Sequence, residues 1–92
     1  MKITVRAFAQ FREVVGEVTV LDLPEGSGLP GLLAALASRS DESRNLLFDD
    51  QGAIREQVIF MVNRKRVPRS SLDSIILDEG DEVAIYPPVA GG

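Results

Sequence analysis

The amino-acid sequence predicts an α+β fold: a mixed sheet of four to five strands with one main helix packed across it. Three observations lead there. The opening residues alternate polar and apolar side chains, as a half-buried strand does. A single leucine stripe at helical spacing follows. Short strand-like segments then close the chain, so that strands come in groups on either side of one helix.

Taken in order, Lys2-Ile3-Thr4-Val5-Arg6-Ala7 puts Ile3, Val5 and Ala7 on one face of a strand and Lys2, Thr4 and Arg6 on the other. From Phe8 to Val15 the alternation stops, which predicts a short helical turn closed at Gly16, a turn or C-cap position. Glu17 to Leu23 is rich in Val, Thr and Leu and forms a second strand, stopped by Pro24-Glu25-Gly26 and paired with the first as a hairpin. Leu29, Leu32, Leu33 and Leu36 fall at i, i+3, i+4 and i+7, and Ala34, Ala35 and Ala37 are strong helix formers, so a helix runs from about Leu29 to Arg39. Ser27 or Gly28 is its N-cap, and Pro30 sits in the first turn, where its missing N–H is not needed.

Asp41 to Gln57 is polar, with a helical turn expected around Arg44 to Phe48 and a turn at Asp50-Gln51-Gly52. The unbroken apolar run Val58 to Val62 predicts a strand covered on both faces or central in the sheet. Asn63 to Lys65 turns the chain into a short strand near Arg66-Val67, limited by Pro68. A loop carrying Leu72, Ile75, Ile76 and Leu77 leads to the turn Asp78-Glu79-Gly80-Asp81 and to a last strand, Glu82 to Tyr86. A helix crossing between hairpins in this order is the arrangement of the ubiquitin-like β-grasp. By that resemblance, the first and last strands lie side by side at the centre. The domain is expected to occupy residues 1–86.

Composition limits what such a domain does unaided. The 92 residues hold 45% hydrophobic and 26% charged side chains, ordinary globular usage for one modest core. The chain has no Cys, so it supplies no disulfide, thiolate metal site or thiol nucleophile. It has no His either, which removes the usual proton-transfer side chain and the commonest zinc ligand. A net charge of -4 has the wrong sign for a general binder of phosphate backbones. Neither a signal-peptide pattern nor a run of about 18 apolar residues is present, so neither a nucleic-acid nor a membrane partner is expected, and the cytoplasm is the expected location.

The sequence closes on Pro87-Pro88-Val89-Ala90-Gly91-Gly92. Proline fixes φ, lacks an N–H and pushes the preceding residue out of the helical region, so Pro87-Pro88 is expected to stop the last strand and launch an extended stalk. Six extended residues reach roughly 20 Å. Glycine loses the most conformational entropy on ordering, so a Gly-Gly end adds nothing to a fold and suits a flexible tail threaded into another protein.

Phe8-Ala9, Phe11-Arg12-Glu13 and Gly16, Leu23-Pro24-Glu25-Gly26, Leu32-Leu33-Ala34-Ala35-Leu36, Val62-Asn63, and Asp78-Glu79-Gly80-Asp81-Glu82-Val83 ahead of Pro87-Pro88-Val89-Ala90-Gly91-Gly92 together resemble the MoaD/ThiS sulfur carriers. The likeness is greatest to the MoaD branch, the small subunit of molybdopterin synthase. It spans nearly the whole chain, and its most specific part joins the acidic turn to the Gly-Gly stalk. Two features depart from the pattern. Ala90 stands where many MoaD members have Ser, and Asp41 to Gln57 is longer than a minimal MoaD connection, as in MoaD-like carriers that serve other pathways, including cysteine biosynthesis.

The resemblance implies that an E1-like adenylating enzyme of the MoeB/ThiF type uses ATP and magnesium to join Gly92 to AMP. A terminal carboxylate, with a pKa near 3.3 to 3.7, is anionic at neutral pH and needs such activation. A sulfur donor protein then displaces AMP and leaves a thiocarboxylate on Gly92, which delivers sulfur to a MoaE-type large subunit or another acceptor. Pro87, Pro88, Val89, Ala90 and Gly91 would thread the partner's channel, where a Cβ on either of the last two residues would meet the wall. No cofactor belongs to this chain, and the catalytic side chains belong to its partners. Two further readings stand beside this one. The first is a ubiquitin-like modifier joined through Gly92 to lysines, and the second a non-covalent interaction module; within the carrier reading itself, the pathway served is alternatively cysteine or thiamine biosynthesis or tRNA thiolation.

Phe8, Phe11 and Phe60 are core candidates, although an exposed aromatic beside the tail suits a partner patch. Phe8, Tyr86 and Arg64 are the residues assigned to that patch. Arg64-Lys65-Arg66 with Arg69 forms a basic cluster, expected to be a solvated hairpin tip. Asp49-Asp50 and Asp78-Glu79-Asp81-Glu82 are expected to form turns at Gly52 and Gly80 rather than to hold a metal.

Overall fold

A computed structural model describes residues 1–86. The strands are β1 (Lys2–Ala7), β2 (Val18–Asp22), β3 (Ile59–Val62), β4 (Lys65–Arg66) and β5 (Glu82–Tyr86). The helices are α1 (Gln10–Val15), α2 (Leu29–Ala37) and α3 (Asp41–Leu47), with a 3-10 turn at Arg69–Ser74. The strands form one mixed sheet in the order β2-β1-β5-β3-β4, with β1 and β5 parallel and the other neighbours antiparallel. This is the expected β-grasp, with the first and last strands paired in its interior.

One face of the sheet is covered. Ile3, Val5 and Ala7 of β1, Phe60 of β3, and Val83 and Ile85 of β5 are buried against Leu29, Leu32, Leu33 and Leu36 of α2, joined by Phe11 of α1, Leu47 of α3 and Leu77. The leucine stripe read from the sequence is the helical half of this core. Pro30 falls in the first turn of α2, and Gly28 is the cap residue. A Cβ at Gly28 would lie 2.7 Å from the Ile75 carbonyl oxygen. Glycine is needed there because the Leu29 N–H donates to Ile75 and the Leu77 N–H donates to Ser27, which holds the two segments edge to edge.

The helical layer is richer than the sequence predicts. Ser27 is not the cap of α2; its hydroxyl donates to the Pro24 carbonyl. The helix ends at Ala37 instead of Arg39 because Ser40 has an extended backbone and accepts from the Ser43 N–H as the N-cap of α3. Asp41 and Glu42 occupy the first turn of α3, where negative charge suits the helix dipole, so this helix begins well before the turn expected at Arg44. Residues 69–74, expected to be loop, wind into the 3-10 turn and bury Leu72.

β3 is interior to the sheet, flanked by β5 and β4, but it is not covered on both faces. Phe60 is buried, whereas Ile59 and Met61 are half-buried on the face that carries no helix. Among the described residues, no helix is long and apolar enough to cross a membrane.

Candidate functional site

The register of the sheet defines a second face, opposite the helices. Thr4 pairs with Val20 and Glu82, and Arg6 pairs with Val18 and Ala84. Ala84 pairs with Met61, and Tyr86 pairs with Ile59. Directly opposed residues share a face, so these side chains form one surface. At its upper end Phe8, Tyr86, Ile59, Ala84 and Met61 make an apolar strip, while Val18 and Val20 lie exposed on the edge strand β2.

Phe8 and Tyr86 form the best-defined contact of this strip. Their rings stack with centroids 4.4 Å apart and planes 6° from parallel. Phe8 is 37% exposed. It is the last residue held to the sheet on the β1 side, since its N–H donates to the Ile85 carbonyl at 3.2 Å. The chain then turns sharply, with the Phe11 N–H donating back to the Phe8 carbonyl at 3.1 Å. Of the three phenylalanines weighed as core or patch, Phe11 and Phe60 are core and Phe8 is on the surface.

An ion pair interrupts the apolar surface. Arg6 Nε and Glu82 Oε2 approach to 3.0 Å across the β1–β5 boundary. A pair this exposed adds at most about 1 kcal/mol of stability. Its charges satisfy each other, so a partner covering it need bring no counter-charge.

Arg64 does not join Phe8 and Tyr86. It lies in the β3–β4 turn, where Asn63 and Arg64 both have positive φ, 49° and 70°. The Asn63 N–H donates to the Glu82 carbonyl and the Asn63 amide donates to Asp81, so this turn sits beside the start of β5. Tyr86 is at that strand's other end, roughly 13 Å along it. Arg69 likewise leaves the basic cluster; its guanidinium donates to the Ile54 and Arg55 carbonyls beside the 3-10 turn. Arg64, Lys65 and Arg66 are exposed at the hairpin tip.

Of the acidic residues expected to form turns, Asp49 and Asp81 do so, whereas Glu82 belongs to β5 and pairs with Arg6. Asp49 accepts from the Gln51 and Ala53 N–H groups, and Asp81 accepts from the Asp78 N–H. Pro87, Pro88, Val89, Ala90, Gly91 and Gly92, the other assigned site residues, lie outside the described residues. What the sequence does not reveal is the extension of the apolar strip from Phe8 and Tyr86 to Ile59, Met61 and Ala84. Alternation in β5 hints at it, but which residues of β3 and β2 share its face depends on pairing register.

A family model described as the ThiS family matches residues 5–92. The chain belongs to this family. It is 33% identical over 93 residues to small archaeal modifier protein 3 of Haloferax volcanii, with both chains fully covered. It is 31% identical over 97 residues to a molybdopterin synthase sulfur carrier subunit of Aedes aegypti, covering all of this chain and 90% of that one. The crystal structure of SAMP1 from Haloferax volcanii superposes with a TM-score of 0.86 at 25% identity, again over the full length of both. This ThiS-family chain therefore stands among the ubiquitin-like sulfur carriers and small modifiers. Tyr86, one half of the Phe8–Tyr86 stack, immediately precedes Pro87 in the sequence.

Proposed function

We propose that this protein is a sulfur carrier that works through Gly92, most specifically as the small subunit of a molybdopterin synthase. The observation that supports it is a ThiS-family match running through residue 92 of a chain whose last two residues there are Gly91-Gly92. The sulfur-carrier relative at 31% identity points the same way.

The chemistry follows from the terminal carboxylate. One of its oxygens attacks the α-phosphorus of ATP on an E1-like enzyme, with magnesium bound to the nucleotide, and pyrophosphate leaves. Hydrosulfide supplied by a donor protein then attacks the resulting carbonyl, its sulfur bonds to the carbonyl carbon as the C–O bond to AMP breaks, and AMP departs. The thiocarboxylate left on Gly92 is the species that hands sulfur to a MoaE-type subunit or another acceptor. Fixing both reactants in the partner's channel is worth up to roughly 7 to 11 kcal/mol over a chance encounter. The body of the domain contributes grip: Phe8, Tyr86, Ile59 and Met61 give the partner an apolar surface with little charge to desolvate. These events belong to the cytoplasm.

A second reading, conjugation of Gly92 to lysines of other proteins, is favoured by the modifier relative at 33% identity. Intact-mass analysis of the protein isolated from its own host separates the two. An oxygen-to-sulfur exchange at the terminus supports the carrier, and Gly92-to-lysine branched peptides support the modifier. A terminus that stays unmodified and inert towards ATP with the host's E1-like enzymes would refute both.

A further inference from the structure

The turn after β1 is built on an unfavourable residue. Ala9 has φ 52° and ψ −124°, the first central position of a type II′ turn, which glycine normally fills because a Cβ crowds the backbone there. Its side chain is exposed, so no core contact offsets the strain. The conformation is imposed from both sides. Before it, the Ala7 N–H donates to Glu17 and the Phe8 N–H donates to Ile85. After it, Phe11 is buried and the Arg12 N–H donates to the Ala9 carbonyl. The residue that precedes this strained position is Phe8, whose carbonyl accepts from the Phe11 N–H across the turn and whose ring lies flat on Tyr86.

We propose that Ala9 is a positioning residue: its restricted, strained turn locks the Phe8 ring on Tyr86 and so presents the partner with a preset aromatic surface at the end of β5. Glycine would make the same turn with less strain, but it would also sample other backbone angles and leave the ring less defined. A contact surface ordered before docking loses less side-chain freedom on binding. The proposal rests on the reading of this chain as a carrier that docks on an adenylating enzyme.

The protein carries its own reporter, since Tyr86 is its one tyrosine and it has no tryptophan. Near-ultraviolet circular dichroism therefore reads the surroundings of Tyr86. Ala9→Gly is expected to raise the melting temperature by about 4 °C as strain is released and to weaken the tyrosine signal. In ATP–pyrophosphate exchange with the E1-like enzyme, it is expected to raise the KM for the carrier about tenfold while kcat stays within about twofold, the pattern of lost docking energy. Phe8→Ala should reproduce the KM change without the gain in melting temperature, and Phe8→Tyr should restore the KM.

A lower melting temperature with an unchanged tyrosine signal in Ala9→Gly would overturn the positioning role. So would an unchanged KM in both Ala9→Gly and Phe8→Ala. An unmutated chain that fails to exchange at all would instead overturn the carrier reading and the docking role with it, leaving the melting and dichroism results to judge the turn alone.

Discussion

The two faces of the sheet are made by the same strands, residue by residue, yet they have opposite tasks. On the covered face Ile3, Val5, Val83 and Ile85 are buried among the leucines of α2. On the open face their sequence neighbours Thr4, Arg6, Glu82 and Ala84 meet solvent together with the Phe8–Tyr86 stack, Ile59 and Met61. Apolar side chains on the first face hold the fold, whereas those on the second add little to it and are available for contact. Hydrophobicity alone does not tell them apart: Phe8 and Phe11, or Phe60 and Met61, differ in pairing and direction more than in chemistry.

Substitutions sharpen that contrast. The largest effect is expected from the covered face. Leu33→Ala should cost about 2–5 kcal/mol, the usual range for truncating a buried leucine, and lower the melting temperature by roughly 10 °C or more. Gly28→Ala comes next, at about 1–3 kcal/mol, because the new methyl meets the Ile75 carbonyl and must push the strand-like contact apart. Met61→Ser on the open face should change stability by less than about 1 kcal/mol, while weakening capture by an immobilised E1-like partner. If Met61→Ser unfolded the protein as Leu33→Ala does, the division into two faces would fail. The smallest effect belongs to Arg6 and Glu82, whose coupling in a double-mutant cycle should stay below about 1 kcal/mol given their exposure.

Much of the covered face is legible in the amino-acid sequence. The leucine stripe locates α2, strict alternation orients β1, and the acidic turn and proline pair bracket β5 at Glu82 to Tyr86. What stays hidden is non-local. The apolar run at Val58 to Val62 reads as a strand covered on both faces or central in the sheet; β3 is interior but open on one face, because sequence shows how apolar a strand is, not which of its faces a helix reaches. Arg64 groups with Phe8 and Tyr86 as a patch candidate, yet antiparallel pairing of β3 with β5 carries the β3–β4 turn to the opposite end of the sheet. The extent of α3 is readable in principle, since Ser40 followed by Asp41 and Glu42 is a helix-start signal. The polarity of the segment around it masks that signal.

Removal of Gly92 tests the central claim most directly. The full chain and the chain lacking that residue would each be incubated with ATP, magnesium, an E1-like enzyme and a sulfur donor, then weighed intact. Both should melt at the same temperature, and the full chain alone should gain sulfur at its terminus. Equal sulfur loading of the shortened chain would contradict the account.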